Sequence, residues 1–173
     1  MTPNLHIKRH ILPWIDTAKK IHPTCIVLHW WGEPINEQGV EYLASLLQKR
    51  KLSVQYAVLA NGEIYQLSPT PDTFCRHAKC ANDSAIGIEI EGFDKDDLDN
   101  NQDQFESVIQ LVRKLVNKYN IQTDLKVKEK EDQIRFYGIA SHKQVDVYCS
   151  NANGKDDIHD NYVEWVKLAL KNI

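Results

Sequence analysis

The chain has 173 residues, of which 42% are hydrophobic and 26% charged, the proportions of one globular domain and not of a disordered, collagen-like or coiled-coil chain. Its 21 Lys and Arg against 24 Asp and Glu leave a formal charge of −3, with no bulk basic surface for nucleic acid. Near the N-terminus, the apolar cluster 11–15 is interrupted by Pro13 and followed by Asp16. That is too short and too broken for a signal peptide, and no run is long enough to span a bilayer. The expectation is a soluble cytoplasmic protein, or one exported by a route that needs no signal, with residues 1–23 as an extension before a core of 24–172.

Residues 25–31, Cys-Ile-Val-Leu-His-Trp-Trp, are a compact apolar run that predicts a buried strand. Gly32, Pro34 and Gly39 then break the chain. Val40, Leu43, Leu46 and Leu47 fall at helical spacing and predict an amphipathic helix over 38–49. Residues 54–59 and 64–67 flank Asn61-Gly62, the pattern of a tight β-hairpin. Residues 85–91, Ala-Ile-Gly-Ile-Glu-Ile-Glu, alternate with period two and predict a strand. The acidic stretch 93–103 reads either as a calcium loop or, by preference, as solvated residues that suit a helix start. A helix to about residue 119 follows, with Phe105, Val108, Ile109, Val112, Leu115 and Val116 inward. Residues 126–132 read as a mixed-charge turn, 135–141 as a strand, and 162–172 as a terminal helix with Trp165, Val166, Ala169 and Leu170 inward. Strands interleaved with helices, without repeats or a linker, point to a single α/β domain: one sheet with helices on its faces.

The four cysteines, Cys25, Cys75, Cys80 and Cys149, contain no CxxC pair. Cys25 reads as a small buried hydrophobe. Free thiols are expected throughout, Cys75 and Cys80 being close enough in sequence to bridge in an oxidising compartment.

Three places offer chemistry. Alternation in 25–31 puts Cys25, Val27, His29 and Trp31 on one face, and an imidazole in so apolar a run needs a partner. A core histidine bonded to backbone is one reading of His29, a site residue the other. In the strand 85–91, Gly87, Glu89 and Glu91 share the face opposite the isoleucines. That face is therefore either solvent or the floor of a cleft, where a carboxylate can be tuned for general-base work. Ser141-His142 stands where a strand runs out, and residues 153–159, Asn-Gly-Lys-Asp-Asp-Ile-His, follow. Imidazole and carboxylate side chains suit zinc, which in catalytic centres takes three protein ligands and leaves a fourth position open.

Taken in order, these pieces resemble a known family. Ile26-Val27-Leu28-His29-Trp30, the hairpin Tyr56-Ala57-Val58-Leu59-Ala60-Asn61-Gly62-Glu63-Ile64-Tyr65-Gln66-Leu67 and the strand Ser84-Ala85-Ile86-Gly87-Ile88-Glu89-Ile90-Glu91-Gly92 are similar to the zinc-dependent N-acetylmuramoyl-L-alanine amidases. These include the cytoplasmic amidase of cell-wall recycling, phage endolysins and peptidoglycan recognition proteins. His142 with the later Lys155-x-Asp157 fits the third signature. The resemblance implies a central mixed β-sheet flanked by α-helices, with a zinc cleft at the sheet edge and one Zn2+ per chain. It makes His29, His142 and Asp157 the ligands, Glu89 the general base for the attacking water, and Lys155 the cation that stabilises the oxyanion. The implied reaction hydrolyses the amide between N-acetylmuramic acid and L-alanine, in peptidoglycan or its fragments.

His77 lies in a stretch that looks like the family's groove-bordering loop, and with Trp31 and Asn82 it is a candidate substrate contact. The gap between His142 and the Lys-x-Asp is longer than usual in the family, and Ile158-His159 replaces the frequent Pro-Gly. Cys149 and Asp156 are thus alternative third ligands, and His159 reads as a surface residue. The alternative function is non-catalytic binding of peptidoglycan fragments, expected of relatives that have lost a ligand. Three biological settings fit: cytoplasmic recycling, a phage endolysin, or an antibacterial effector delivered to the cell wall, the last with an immunity protein as partner. No membrane insertion is expected, and oligomeric state stays open.

Overall fold

A computed structural model describes residues 5–35, 37–130, 133–149 and 157–171. The strands are β1 (Ile7–Arg9), β2 (Cys25–Trp30), β3 (Tyr56–Val58), β4 (Ile64–Gln66), β5 (Ala85–Ile90), β6 (Lys126–Lys130) and β7 (Gln133–Ser141). Among the described residues they form one seven-stranded sheet in the order β1-β4-β3-β5-β2-β7-β6. The sheet is mixed. β2 runs parallel to both β5 and β7, β3 parallel to β5, and β1 parallel to β4, while β3–β4 and β6–β7 are antiparallel. The helices are α1 (Val40–Arg50), α2 (Lys95–Asp99), α3 (Gln102–Tyr119), α4 (His142–Asp146) and α5 (Asp160–Lys171), with a 3₁₀ turn at Lys79–Ala81.

The central strands are covered on both faces, which is why β2 reads as an almost unbroken apolar run. On one face Ile26, Leu28, Ile86, Ile88 and Ile90 pack against Val108, Leu111, Val112 and Leu115 of α3 and Tyr162, Val163 and Val166 of α5. The other face has two clusters. Val40, Leu43 and Leu47 of α1 meet Trp31, Val54, Ala57 and Leu67 in one. Cys25, Val27, Ala85 and Ala140 meet Ala78, Phe136 and Val145 in the other. Each such aliphatic side chain contributes about 1.5–3 kcal/mol on burial. β7 carries a glycine of necessity: Gly138 has φ +96°, and a Cβ there would stand 2.2 Å from the Asp124 carbonyl oxygen.

Several expectations change. β1 lies in the stretch set apart as an extension and pairs with β4, while Leu12 and Ile15 join the core around α1. Within the expected turn at 126–132, residues 126–130 form the edge strand β6 instead. Its Lys-Val-Lys-Glu-Lys sequence hides a strand because charges on an edge discourage pairing with other chains. Trp165 does not point inward but is 41% exposed, and the buried stripe of α5 runs through Tyr162, Val163, Val166 and the stem of Lys167. The acidic stretch 93–103 starts helices. The Asp94 carboxylate accepts from Asp97 N–H to cap α2, and Asn101 Oδ1 accepts from Gln104 N–H to cap α3.

The cysteines also differ. Cys80 is bridged to Cys149, whose separation of 69 residues hid the pairing. Cys75 and Cys25 are buried free thiols, and burial pushes each up to about 12. No described helix is long and apolar enough to cross a membrane.

Candidate metal centre and catalytic cleft

Three adjacent parallel strands deliver His29, Glu89 and His142 at their carboxyl ends, where open α/β sheets place ligands. His29 is the penultimate residue of β2 and lies in register with Glu89 of β5, so the two share a face one strand spacing apart. On the other side Leu28 is in register with Ser141, the last residue of β7, and His142 follows as the first residue of α4.

A capping box fixes that turn. Ser141 Oγ accepts from Gln144 N–H while the Gln144 side chain accepts from Ser141 N–H. Ser141 Oγ also donates to Asp160 Oδ1 at 3.0 Å, tying the turn to the start of α5. The sequence signal for α4 was present in Ser-x-x-Gln, a helix-start signature.

Asp157 stands before α5 with its two oxygens divided. Oδ1 accepts from the backbone N–H of Trp30 at 3.1 Å and of Ile158 at 2.7 Å. Oδ2 is left facing His142 Nδ1 at 2.9 Å and His29 Nδ1 at 3.5 Å. Burial works to raise the Asp157 carboxyl, but the His142 and His29 rings that face it outweigh burial and hold it well below the usual carboxylate range. One ligand atom from each of His29, His142 and Asp157 lies within 4.8 Å of the others, a group able to bind a metal ion. Two imidazole nitrogens and a carboxylate oxygen are donors that suit zinc. The group opens into a cleft of about 420 Å³ whose walls include Trp30, Trp31, Arg50, His77 and Glu89.

The outer nitrogen of His29 is also committed. His77 Nδ1 is 3.0 Å from His29 Nε2, and His77 Nε2 is 3.2 Å from the Ala85 carbonyl oxygen. A carbonyl can only accept, so His77 carries its proton on Nε2 and accepts at Nδ1. His29 therefore donates from Nε2, which in the neutral ring leaves Nδ1, on the Asp157 side, to serve as a metal ligand. Burial, with His29 and His142 close by, pushes His77 well below its ordinary pKa, consistent with a neutral ring. Gly87 makes room for that ring: a Cβ there would lie 2.7 Å from both His77 Nδ1 and Val54 Cγ2.

The other expected contacts are distributed as follows. His77 borders the cleft with both nitrogens already bonded to protein, which leaves its ring carbons for any substrate. Trp31 is 3% exposed and packs into the core around α1 while forming part of the cleft wall. Trp30 is half-buried against the opposite core. Asn82 Oδ1 accepts from the N–H groups of His77 and Ala78 and so shapes the loop that carries His77. His159 is not a free surface residue, since Nε2 pairs with Asp99 Oδ1 at 2.8 Å. Cys149 is excluded as third ligand because its sulfur is in the disulfide. Lys155 and Asp156 lie outside the described residues. Sequence reading places Asp146 only in a stretch of competing ligands and misses its place behind His142: its carboxylate is 3.6 Å from His142 Nε2 and ion-paired with Lys79 at 3.0 Å. Its i,i+4 spacing from His142 carries meaning only once α4 is recognised.

A family model described as N-acetylmuramoyl-L-alanine amidase matches residues 19–159. No curated protein sequence matches the chain. Among solved structures, the chain is similar to the N-acetylmuramoyl-L-alanine amidase LysC from Clostridium intestinale URNW, at 21% identity and TM-score 0.68, over 95% of this chain and 97% of that one. A mutant endolysin from Bacillus subtilis is 19% identical with TM-score 0.67, over 96% and 99% of the two chains. The Staphylococcus aureus hydrolase AmiA, in complex with its ligand, is 16% identical with TM-score 0.65, over 95% and 82%. At these identities the structures speak for the fold, and the family model, matched over most of the sequence, speaks for membership: the chain belongs to the N-acetylmuramoyl-L-alanine amidase family of enzymes.

Proposed function

We propose that the protein is a zinc-dependent amidase that cuts the bond between N-acetylmuramic acid and L-alanine, with one zinc per chain held by His29, His142 and Asp157. The observation that carries this is the convergence of both Nδ1 atoms and Asp157 Oδ2, from three chain segments, in the wall of the cleft. Zinc bound there supplies a Lewis acid that brings water towards a pKa of about 7.

The chain's own residues do the rest. Asp157 keeps Oδ2 aimed at the rings because Oδ1 is fixed by two backbone N–H groups. His77 fixes the tautomer of His29. Glu89, in register with His29, takes the proton of the attacking water and returns it to the leaving amine of L-alanine. Lys155 is assigned to the oxyanion of the tetrahedral intermediate, where one electrostatic donor contributes on the order of 10²–10³ in rate.

The Cys80–Cys149 bridge favours work in an oxidising compartment over the reducing cytosol, so the wall polymer is preferred over cytoplasmic recycling fragments. The test is to digest intact sacculi and soluble anhydro-muropeptides side by side and count new L-alanine amino termini. Release from sacculi supports the proposal. Cleavage of neither substrate by zinc-loaded protein overturns the activity, and cleavage of the soluble fragments alone overturns the wall assignment.

A further inference from the structure

Asp146 is a buried carboxylate that the proposed reaction does not use. It is 5% exposed, one helical turn beyond His142, at the end of a short helix. Burying a carboxylate is costly unless it is paired. Lys79, the first residue of the 3₁₀ turn on the loop that also carries His77, pairs with it: Nζ donates to Oδ2 at 3.2 Å and lies 3.0 Å from Oδ1. One residue from Lys79, Cys80 is bridged to Cys149, three residues beyond Asp146. A covalent staple and an ion pair thus hold the same loop against the end of α4 and the turn that follows it.

The pair is aimed at a metal-ligand candidate. Asp146 Oδ1 stands 3.6 Å from His142 Nε2, a buried nitrogen with no hydrogen-bond partner among the described residues. Such an orphaned atom is rare and calls for a reason. His142 Nδ1 lies 2.9 Å from Asp157 Oδ2, on the side where a cation would sit. For Nδ1 to present a lone pair there, the ring's proton must be on Nε2, where the acceptor at hand is Asp146. Histidines that bind metals commonly donate their other N–H to a carboxylate or carbonyl, which fixes the tautomer and raises ligand basicity.

We infer that Asp146 is a positioning residue for the metal centre: its carboxylate accepts the Nε2–H of His142, and Lys79 with the Cys80–Cys149 bridge holds that carboxylate in place. This rests on the zinc-amidase proposal and deepens it.

The test titrates chelator-stripped parent, Asp146→Asn, Asp146→Ala and Lys79→Met proteins with zinc against a competing chromophoric chelator, and records the melting curve of each metal-free form. Asp146→Ala is expected to weaken zinc binding by about 10–100-fold. Asp146→Asn, which keeps an oxygen acceptor without the charge, weakens it less, and Lys79→Met follows the same direction. Nitrogen NMR of the zinc-loaded parent places the His142 proton on Nε2 as a hydrogen-bonded signal that Asp146→Ala loses. If Asp146→Ala does not fold, the near-isosteric Asp146→Asn decides. Asp146 variants with the parent's zinc affinity and the parent's His142 signal overturn the inference alone. An affinity loss that only tracks a fall in metal-free melting temperature, with the His142 signal intact, also overturns it. A parent that binds no zinc overturns the zinc proposal and this inference together.

Discussion

The two histidines of the candidate centre converge on one carboxylate oxygen but are backed by different chemistry. Behind His29 is a neutral relay, His77 and then the Ala85 carbonyl, with hydrogen bonds of 3.0 and 3.2 Å built over Gly87. Behind His142 is a charged device, Asp146 of the same short helix and Lys79 of the neighbouring loop, with a disulfide joining that loop to the turn after the helix. The difference follows from where each ring sits. His29 is inside a central strand, where a neutral partner avoids burying a charge. His142 starts a helix at the end of β7, where a side chain one turn later reaches its outer nitrogen and the neighbouring loop can deliver a lysine. One fold thus solves the same problem, fixing an imidazole tautomer, in two ways.

The largest effect should come from the rings themselves. His29→Ala and His142→Ala are each expected to lose stoichiometric zinc, read by metal analysis after dialysis, and with it all amide hydrolysis. A variant that still holds one zinc per chain would break the equivalence of the two ligands.

Glu89→Gln should keep the metal and lower turnover by about 10²–10⁴. Loss of zinc in that variant would move Glu89 from the chemistry into the metal site.

His77→Phe removes the acceptor behind His29 and should weaken zinc by about 10–100-fold, measured by chelator competition. An unchanged affinity would make the neutral relay mere packing and leave the charged side alone as a tautomer device.

Smaller for the metal is removal of the bridge. Cys80→Ser/Cys149→Ser should lower unfolding stability by about 2–4 kcal/mol in denaturant titrations. Its effect on zinc should be a partial one on the His142 side, with the His77 ring signals in NMR unmoved. Disturbed His77 signals would show that the staple serves both sides.

Much of the fold was legible because its rules are local. Period-two alternation marked β5, Asn61-Gly62 marked the hairpin, and helical spacing marked α1 and α3. The centre was legible too, as a resemblance of motifs around His29, Glu89, His142 and Asp157, and the structure brings His29, His142 and Asp157 together. What escaped depends on partners distant in sequence or on an edge. β6 is a row of charges whose strand character comes from pairing with β7. Trp165 fits the helical period but falls outside the buried stripe that Tyr162 and Val166 define. The Cys80–Cys149 pairing, Asp146 behind His142 and Lys79 beside it are all juxtapositions made by the turn of β7 into α4, invisible until that turn is placed.

The most direct test of the centre is the release of L-alanine amino termini from purified sacculi by chelator-treated protein, followed as zinc is added back. The assignment of His29, His142 and Asp157 predicts no release without metal and full recovery at one zinc per chain. Undiminished release in the presence of chelator would contradict it.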